Sequence, residues 1–189
     1  MGFLDVILGR SKPVKPDLDR LFALSTAAVT LEAAAGFKPT GRGSVCFRAA
    51  EGGAFAQLEK DIRELLDADE GPNVEASTDS YGYTWLLAQH DPNELEGLVT
   101  DLHAINATLE ANGFGPSLLC SLVGFRGPDD QRLALVYLYK RGTFYPFAPQ
   151  PGEKRDNALE LQIRGAVGAD LPVEEDLSRW FPVWGAPGL

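Results

Sequence analysis

Four side chains in this 189-residue chain carry the residue types from which metal sites and nucleophiles are built: Cys46, His90, His103 and Cys120. Metal binding needs ligands that converge, usually through short fixed spacings such as Cys-x-x-Cys or two histidines four apart on a helix. Neither spacing occurs, so no metal is indicated. A cysteine nucleophile needs an imidazole close by to take its proton. With two histidines in the chain, neither of them adjacent in sequence to a thiol, no such pair is legible. His103 follows Leu102 on a strongly periodic helix and reads as a helix-flank residue. Cys46 and Cys120 lie in apolar runs of strand character and are expected as buried thiols rather than a disulfide.

Other loops offer little ligand chemistry. Gly41-Arg-Gly43 is too short for a dinucleotide fingerprint and lacks the Lys-Ser/Thr ending of a phosphate loop, so a tight turn is the plainer reading. Asp67, Asp69 and Glu70 cluster at one helix end and Asp129 and Asp130 in a turn, as solvated acidic residues commonly do. No catalytic residue, cofactor or metal ligand is indicated, and the chain reads as a non-enzyme.

One segment does concentrate binding chemistry. Lys140-Arg-Gly-Thr-Phe-Tyr-Pro-Phe147, with Lys154 and Arg155 following, gathers four cations and three aromatics. Cations beside aromatic rings suit an acidic partner segment or a lipid headgroup. Lys140, Arg141, Phe144, Tyr145, Phe147 and Arg155 are therefore the expected partner-binding residues. The plain alternative is that the rings cover a sheet edge while the cations stay in water.

The chain as a whole is acidic, with net charge −10 and a pI near 4.6, which argues against nucleic acid as a partner. Residues 1–16 differ: Phe3, Leu4, Ile7 and Leu8 recur at helical spacing, and Arg10, Lys12 and Lys15 follow around Pro13 and Pro16. A short amphipathic start followed by cations can lie on an anionic membrane surface, with Phe3, Leu4, Ile7, Leu8 and Arg10 as contacts. It can equally dock on the domain as a helix. No export signal or membrane-length apolar run is legible, so a cytoplasmic protein, at most peripheral at the inner face of the cell membrane, is expected.

Residues 17–189 are expected to form one domain. Asp17 can cap a helix carrying Leu18, Leu21, Phe22 and Leu24, whereas 28–35 fits helix or strand. A strand over 42–49 is expected, entered by a tight turn at Pro39-Thr-Gly-Arg-Gly43. Phe55, Leu58, Ile62, Leu65 and Leu66 mark a helix over 53–68. A hairpin follows, 74–78 and 83–89, around Asp79-Ser-Tyr-Gly82. Asp91 as cap, Pro92 in the first turn and Glu94 reaching back then predict a helix with Leu95, Leu98, Val99, Leu102, Ile105 and Leu109 buried, stopped at Asn112-Gly113-Phe114. A second hairpin, 118–125 and 132–141, turns at Gly127-Pro-Asp-Asp130. Asp156 caps a last helix with Leu159, Ile163 and Val167 inward, and Trp180, Phe181 and Trp184 in the Pro-rich tail pack across the core.

This order predicts an α+β fold: an antiparallel sheet covered by helices on one face, with a ferredoxin-like βαββαβ core, an additional hairpin strand and a C-terminal helix. A secretion-chaperone-like α/β sandwich is the alternative. Leu31-Glu-Ala-Ala-Ala-Gly-Phe-Lys-Pro39 also echoes Leu109-Glu-Ala-Asn-Gly-Phe-Gly-Pro116, and each leads into a strand containing a cysteine.

Several motifs together resemble one family. They are Met1-Gly-Phe-Leu-Asp-Val-Ile-Leu-Gly-Arg10, Gly36-Phe-Lys-Pro-Thr-Gly-Arg-Gly-Ser-Val-Cys-Phe47, Asp79-Ser-Tyr-Gly-Tyr-Thr-Trp85, Lys140-Arg-Gly-Thr-Phe-Tyr-Pro-Phe147, Arg155-Asp-Asn-Ala-Leu-Glu160 and Trp180-Phe-Pro-Val-Trp-Gly185. In this order, over nearly the whole chain, they resemble the PspA-associated PspAB family of actinobacteria and archaea. The resemblance implies a place in the phage-shock membrane-stress response, with a PspA-like coiled-coil protein or an HtpX-like membrane metalloprotease as partner, and it assigns no catalytic residue. The expected function is a non-catalytic adaptor or regulator. The rival is a small-molecule-binding or hydrolytic domain that joins the Gly41–Gly43 turn to Asp79, Tyr81 and Tyr83, and a deep polar pocket between those loops would favour it.

Overall fold

Alternation along the strands assigns side chains to two faces, and each face acquires its own cover. The computed structural model describes residues 16–48 and 74–189, with Ala56, Gln57, Lys60, Ile62 and Glu64 between them. Six strands form one sheet: β1 (Lys38–Arg48), β2 (Glu75–Thr78), β3 (Tyr83–Gln89), β4 (Leu118–Arg126), β5 (Arg132–Leu138) and β6 (Thr143–Phe147). They are ordered β2-β3-β1-β4-β5-β6, and every neighbouring pair is antiparallel. A small ribbon, β7 (Pro149–Gln150) with β8 (Lys154–Arg155), follows.

Val45, Phe47, Leu86, Val123, Phe125, Leu135 and Tyr137 point to the helical face. Three helices whose residues are all described cover it: α1 (Leu24–Ala35), entered through a 3-10 turn at Leu18–Ala23, α2 (Leu95–Ala111) and α3 (Asn157–Val167). Their buried stripes include Leu24 and Leu31, then Leu98, Leu102 and Ile105, then Ile163 and Val167. Cys46, Trp85, Leu122, Val136, Tyr145 and Phe147 point the other way, where Trp180 and Ala186 of the irregular tail cover them. The α+β class, the antiparallel sheet, the single helical face and the C-terminal helix are as the residue pattern predicts. A ferredoxin-like core also needs a helix between β1 and β2. The helix expected over 53–68 lies mostly outside the described residues, although Ala56, Gln57, Lys60, Ile62 and Glu64 within it are helical and Ile62 is buried.

Helix ends follow local chemistry. Gly36 and Gly113 both take positive φ where the echoing motifs end their helices, and the Phe37 and Phe114 N–H groups reach back to the Leu31 and Leu109 carbonyls, the first bond spanning one residue more than the second. Asp156 caps α3 by accepting from the Leu159 N–H. Three expectations need correction. Residues 39–43 are not a turn but part of β1, where the pairing with β4 shifts between Pro39 and Gly43, and Gly41 (φ 73°) supplies the left-handed conformation of the bulge. Asp91 is not a helix cap: it accepts from the Asn93 N–H in a separate turn, and α2 begins at Leu95 because Pro92 and Asn93 are used in that turn. Asp17 makes no side-chain cap bond, since its carboxylate is taken by Arg20. The undecided stretch 28–35 is helix, and 132–141 is strand only to Leu138.

Candidate functional site

Register pairs place one row of residues straight across the middle of the tail-side face: Ser77, Trp85, Cys46, Cys120, Leu138, Thr143. The tail does not lie flat on this row. Between them is a cavity of about 860 Å³, floored by Trp85, Cys46, Cys120, Leu138 and Tyr145. One wall is the β2–β3 turn, through Asp79, Tyr81 and Tyr83; a second is Lys140 and Arg141 after β5; the third is the tail, through Asp176, Arg179, Phe181 and Trp184.

Each wall is braced. Asp79 accepts from the Tyr81 and Tyr83 N–H groups and from Trp85 Nε1 at 2.9 Å, so the turn and the floor are one unit. Desolvation pushes its carboxyl up, but the bonds from Trp85, Tyr83, Tyr81 and Gly82 together hold it below its ordinary value. In the third wall the nearly buried Glu174 accepts from Thr143 Oγ1 at 2.8 Å, Arg141 Nε at 3.2 Å and the Asp176 N–H, while its carbonyl accepts from Trp180 Nε1. Burial opposes ionisation of this carboxylate, and the bonds from Thr143, Asp176 and Arg141 outweigh it. Asp176, fully exposed, is lowered to about 2 by bonds from Ser178 and Arg179. The Tyr145 hydroxyl donates to the Phe181 carbonyl at 2.8 Å, and burial raises it well above an ordinary phenol. Backbone pairing continues this brace along the sheet edge, where Phe144 exchanges bonds with Pro172 and Glu174.

Of the expected partner-binding residues, the fold brings Lys140, Arg141 and Tyr145 to the cavity and withdraws three others. Phe144 and Phe147 are 1% and 0% exposed, because 143–147 is the edge strand β6 rather than a loop. Phe144 faces the helices against Tyr137, and Phe147 lies under Trp184. Arg155 stacks over Phe147 and is bonded to the buried Glu160 at 2.9 Å and to the Trp180 carbonyl, so it braces the tail instead of reaching outward. Phe3, Leu4, Ile7, Leu8 and Arg10 lie outside the described residues.

Asp79, Tyr81 and Tyr83 from the rival reading line the same cavity, but Gly41 and Gly43 do not. These glycines serve packing: a Cβ at Gly41 would meet the His90 carbonyl at 2.2 Å, and one at Gly43 the Leu122 carbonyl at 2.8 Å. The imidazoles stand away from the thiols. His90 Nε2 is 2.6 Å from Asp101 and His103 Nε2 is 3.1 Å from Asp19. His90 lines a separate groove of about 880 Å³ with Ser25, Lys38 and the exposed Glu94 and Glu96. No hydroxyl or thiol bonds to it among the described residues. Nor do three or more potential metal ligands cluster among them. No helix among the described residues is long and apolar enough to cross a membrane.

The expected packing of the tail aromatics holds for Trp180, which is buried, but not for Phe181, 59% exposed at the cavity mouth; the cavity itself and the meeting of the two cysteines are not legible in the sequence. The one signal for the latter was the repeated helix stop that leads into a Cys-bearing strand each time. A family model described as PspA associated protein B matches residues 1–188. No curated protein and no solved structure gives a match.

Proposed function

The chain belongs to the PspA associated protein B family, and we propose that it works as a non-catalytic adaptor or regulator in the membrane-stress response, holding an apolar, acidic-flanked segment of a PspA-like coiled-coil protein in the cavity beside Lys140. The observation that carries this reading is the cavity itself: a mostly apolar and aromatic trough whose rim cation Lys140 has no ion pair among the described residues. Exposed Tyr81 and Phe181 at its mouth are the kind of rigid aromatic that anchors protein partners. Among the described residues neither imidazole lines the cavity, so the two thiols there have no histidine base beside them, which supports binding rather than turnover.

The test is a titration of purified PspA-like protein by fluorescence anisotropy. Lys140→Glu and Tyr81→Ser should each weaken binding about tenfold, roughly 1.4 kcal/mol, with the fold kept. Unchanged affinity in both variants, or binding of an HtpX-like protease domain instead, would move the assignment. Direct membrane contact by residues 1–16 is part of the same proposal: co-sedimentation with anionic liposomes should fall when residues 1–12 are removed.

The volume also falls in the range of small-ligand pockets, roughly 300–1,000 Å³. That second reading predicts that the purified chain carries a small molecule visible by native mass spectrometry.

A further inference from the structure

Cys46 and Cys120 are direct partners on β1 and β4, with side chains on the same face and both lining the cavity. Both are free thiols. Directly opposed residues of an antiparallel pair stand about 4.5–5.5 Å apart at Cα, inside the roughly 4.4–6.8 Å that a disulfide spans. The pairing shifts immediately afterwards, between Cys46 and Phe47, so this rung borders a bulge where the ladder can adjust. Buried structural cysteines are usually inert because nothing reaches them. These two differ in facing a cavity with an open mouth.

We infer that Cys46 and Cys120 are a redox-active pair that closes into a cross-strand disulfide by exchange with a small-molecule disulfide entering the cavity. The Cys120 sulfur, as thiolate, attacks one sulfur of the small disulfide. That S–S bond breaks and its other half leaves with the electron pair as a thiol. Cys46 then gives up its proton, attacks the Cys120 sulfur and expels the second small thiol. The protein loses two electrons and two protons, and the small disulfide is reduced to two thiols. Cys120 is the entry sulfur because it is the more exposed of the two, at 8% against 3% for Cys46, while the bond with Cys120 and burial push the Cys46 thiol up. The inference does not depend on what the cavity binds.

Full-length native protein incubated with glutathione disulfide and then alkylated with iodoacetamide decides the matter by intact mass. The expected result is joint loss of both thiols as two hydrogens, reversed by dithiothreitol. Cys46→Ala should accumulate a glutathione adduct on Cys120, and Cys120→Ala should stay reduced. Retention of both thiols by the native protein, while a urea-denatured control oxidises, would overturn the inference, as would a lasting single adduct on the wild type. If either variant fails to fold, the wild-type mass alone decides. Phenylarsine oxide, which needs two thiols together, should block the reaction.

Discussion

Glu174 shows how a single carboxylate holds a loop-rich cover in place. Its side chain collects Thr143, Arg141 and the Asp176 N–H, and its backbone holds Trp180 and Phe144, so one residue joins β6, the turn after β5 and the tail. Its folded pKa lies below the ordinary value of 4.5, so its contribution to stability is fully present above that value and is lost as pH falls through the depressed one. Urea unfolding of wild type and Glu174→Gln should therefore differ most near neutral pH and converge as the pH is stepped down below 4.5. A gap that widens on acidification would contradict the assignment. Arg155 carries a parallel lesson. Its position in a basic-aromatic run suggested an outward contact, yet the buried Glu160 and the Phe147 ring claim it, and no feature of local sequence announces a partner that arrives from α3.

Much of the helical side is legible because it is specified locally, although the sequence leaves 28–35 of α1 open between helix and strand. The stripe from Leu95 to Leu109 and the stop at Gly113 fix α2, and alternation plus turn residues fix both hairpins. What sequence did not reveal was use of the second sheet face. Cover there comes from Pro172 to Leu189, a stretch with no periodicity, held by side chain to backbone bonds such as Tyr145 to Phe181 and Ser44 to Pro187. Gly124 is the closest approach in that arrangement: a Cβ on it would sit 2.1 Å from the Gly188 carbonyl. Gly124→Ala should lift the end of the tail, costing roughly 1–3 kcal/mol in urea unfolding and exposing the tail to limited proteolysis, with helix content unchanged. Wild-type resistance to the protease would show that the tail does not depend on this contact. The bulge at Gly41 looks like a turn in sequence for a related reason, since a positive-φ glycine fits either setting until the β4 partner is known.

At the scale of the molecule, a sheet with one helical side and one irregular side divides labour. Three helices and the sheet make a continuous apolar core, while the tail side leaves a trough between well-braced walls. An acidic chain whose rim cation Lys140 has no ion pair among the described residues is biased in which way a charged segment lies, more than in how tightly it is held. In the proposed function this trough, and not the helical side, receives the PspA-like partner. Hydrogen exchange of the full-length chain with and without purified PspA-like protein distinguishes the two faces. The prediction is slowed exchange at 79–83 and 176–184 on complex formation, with α1 and α2 unchanged; protection confined to the helices would contradict it.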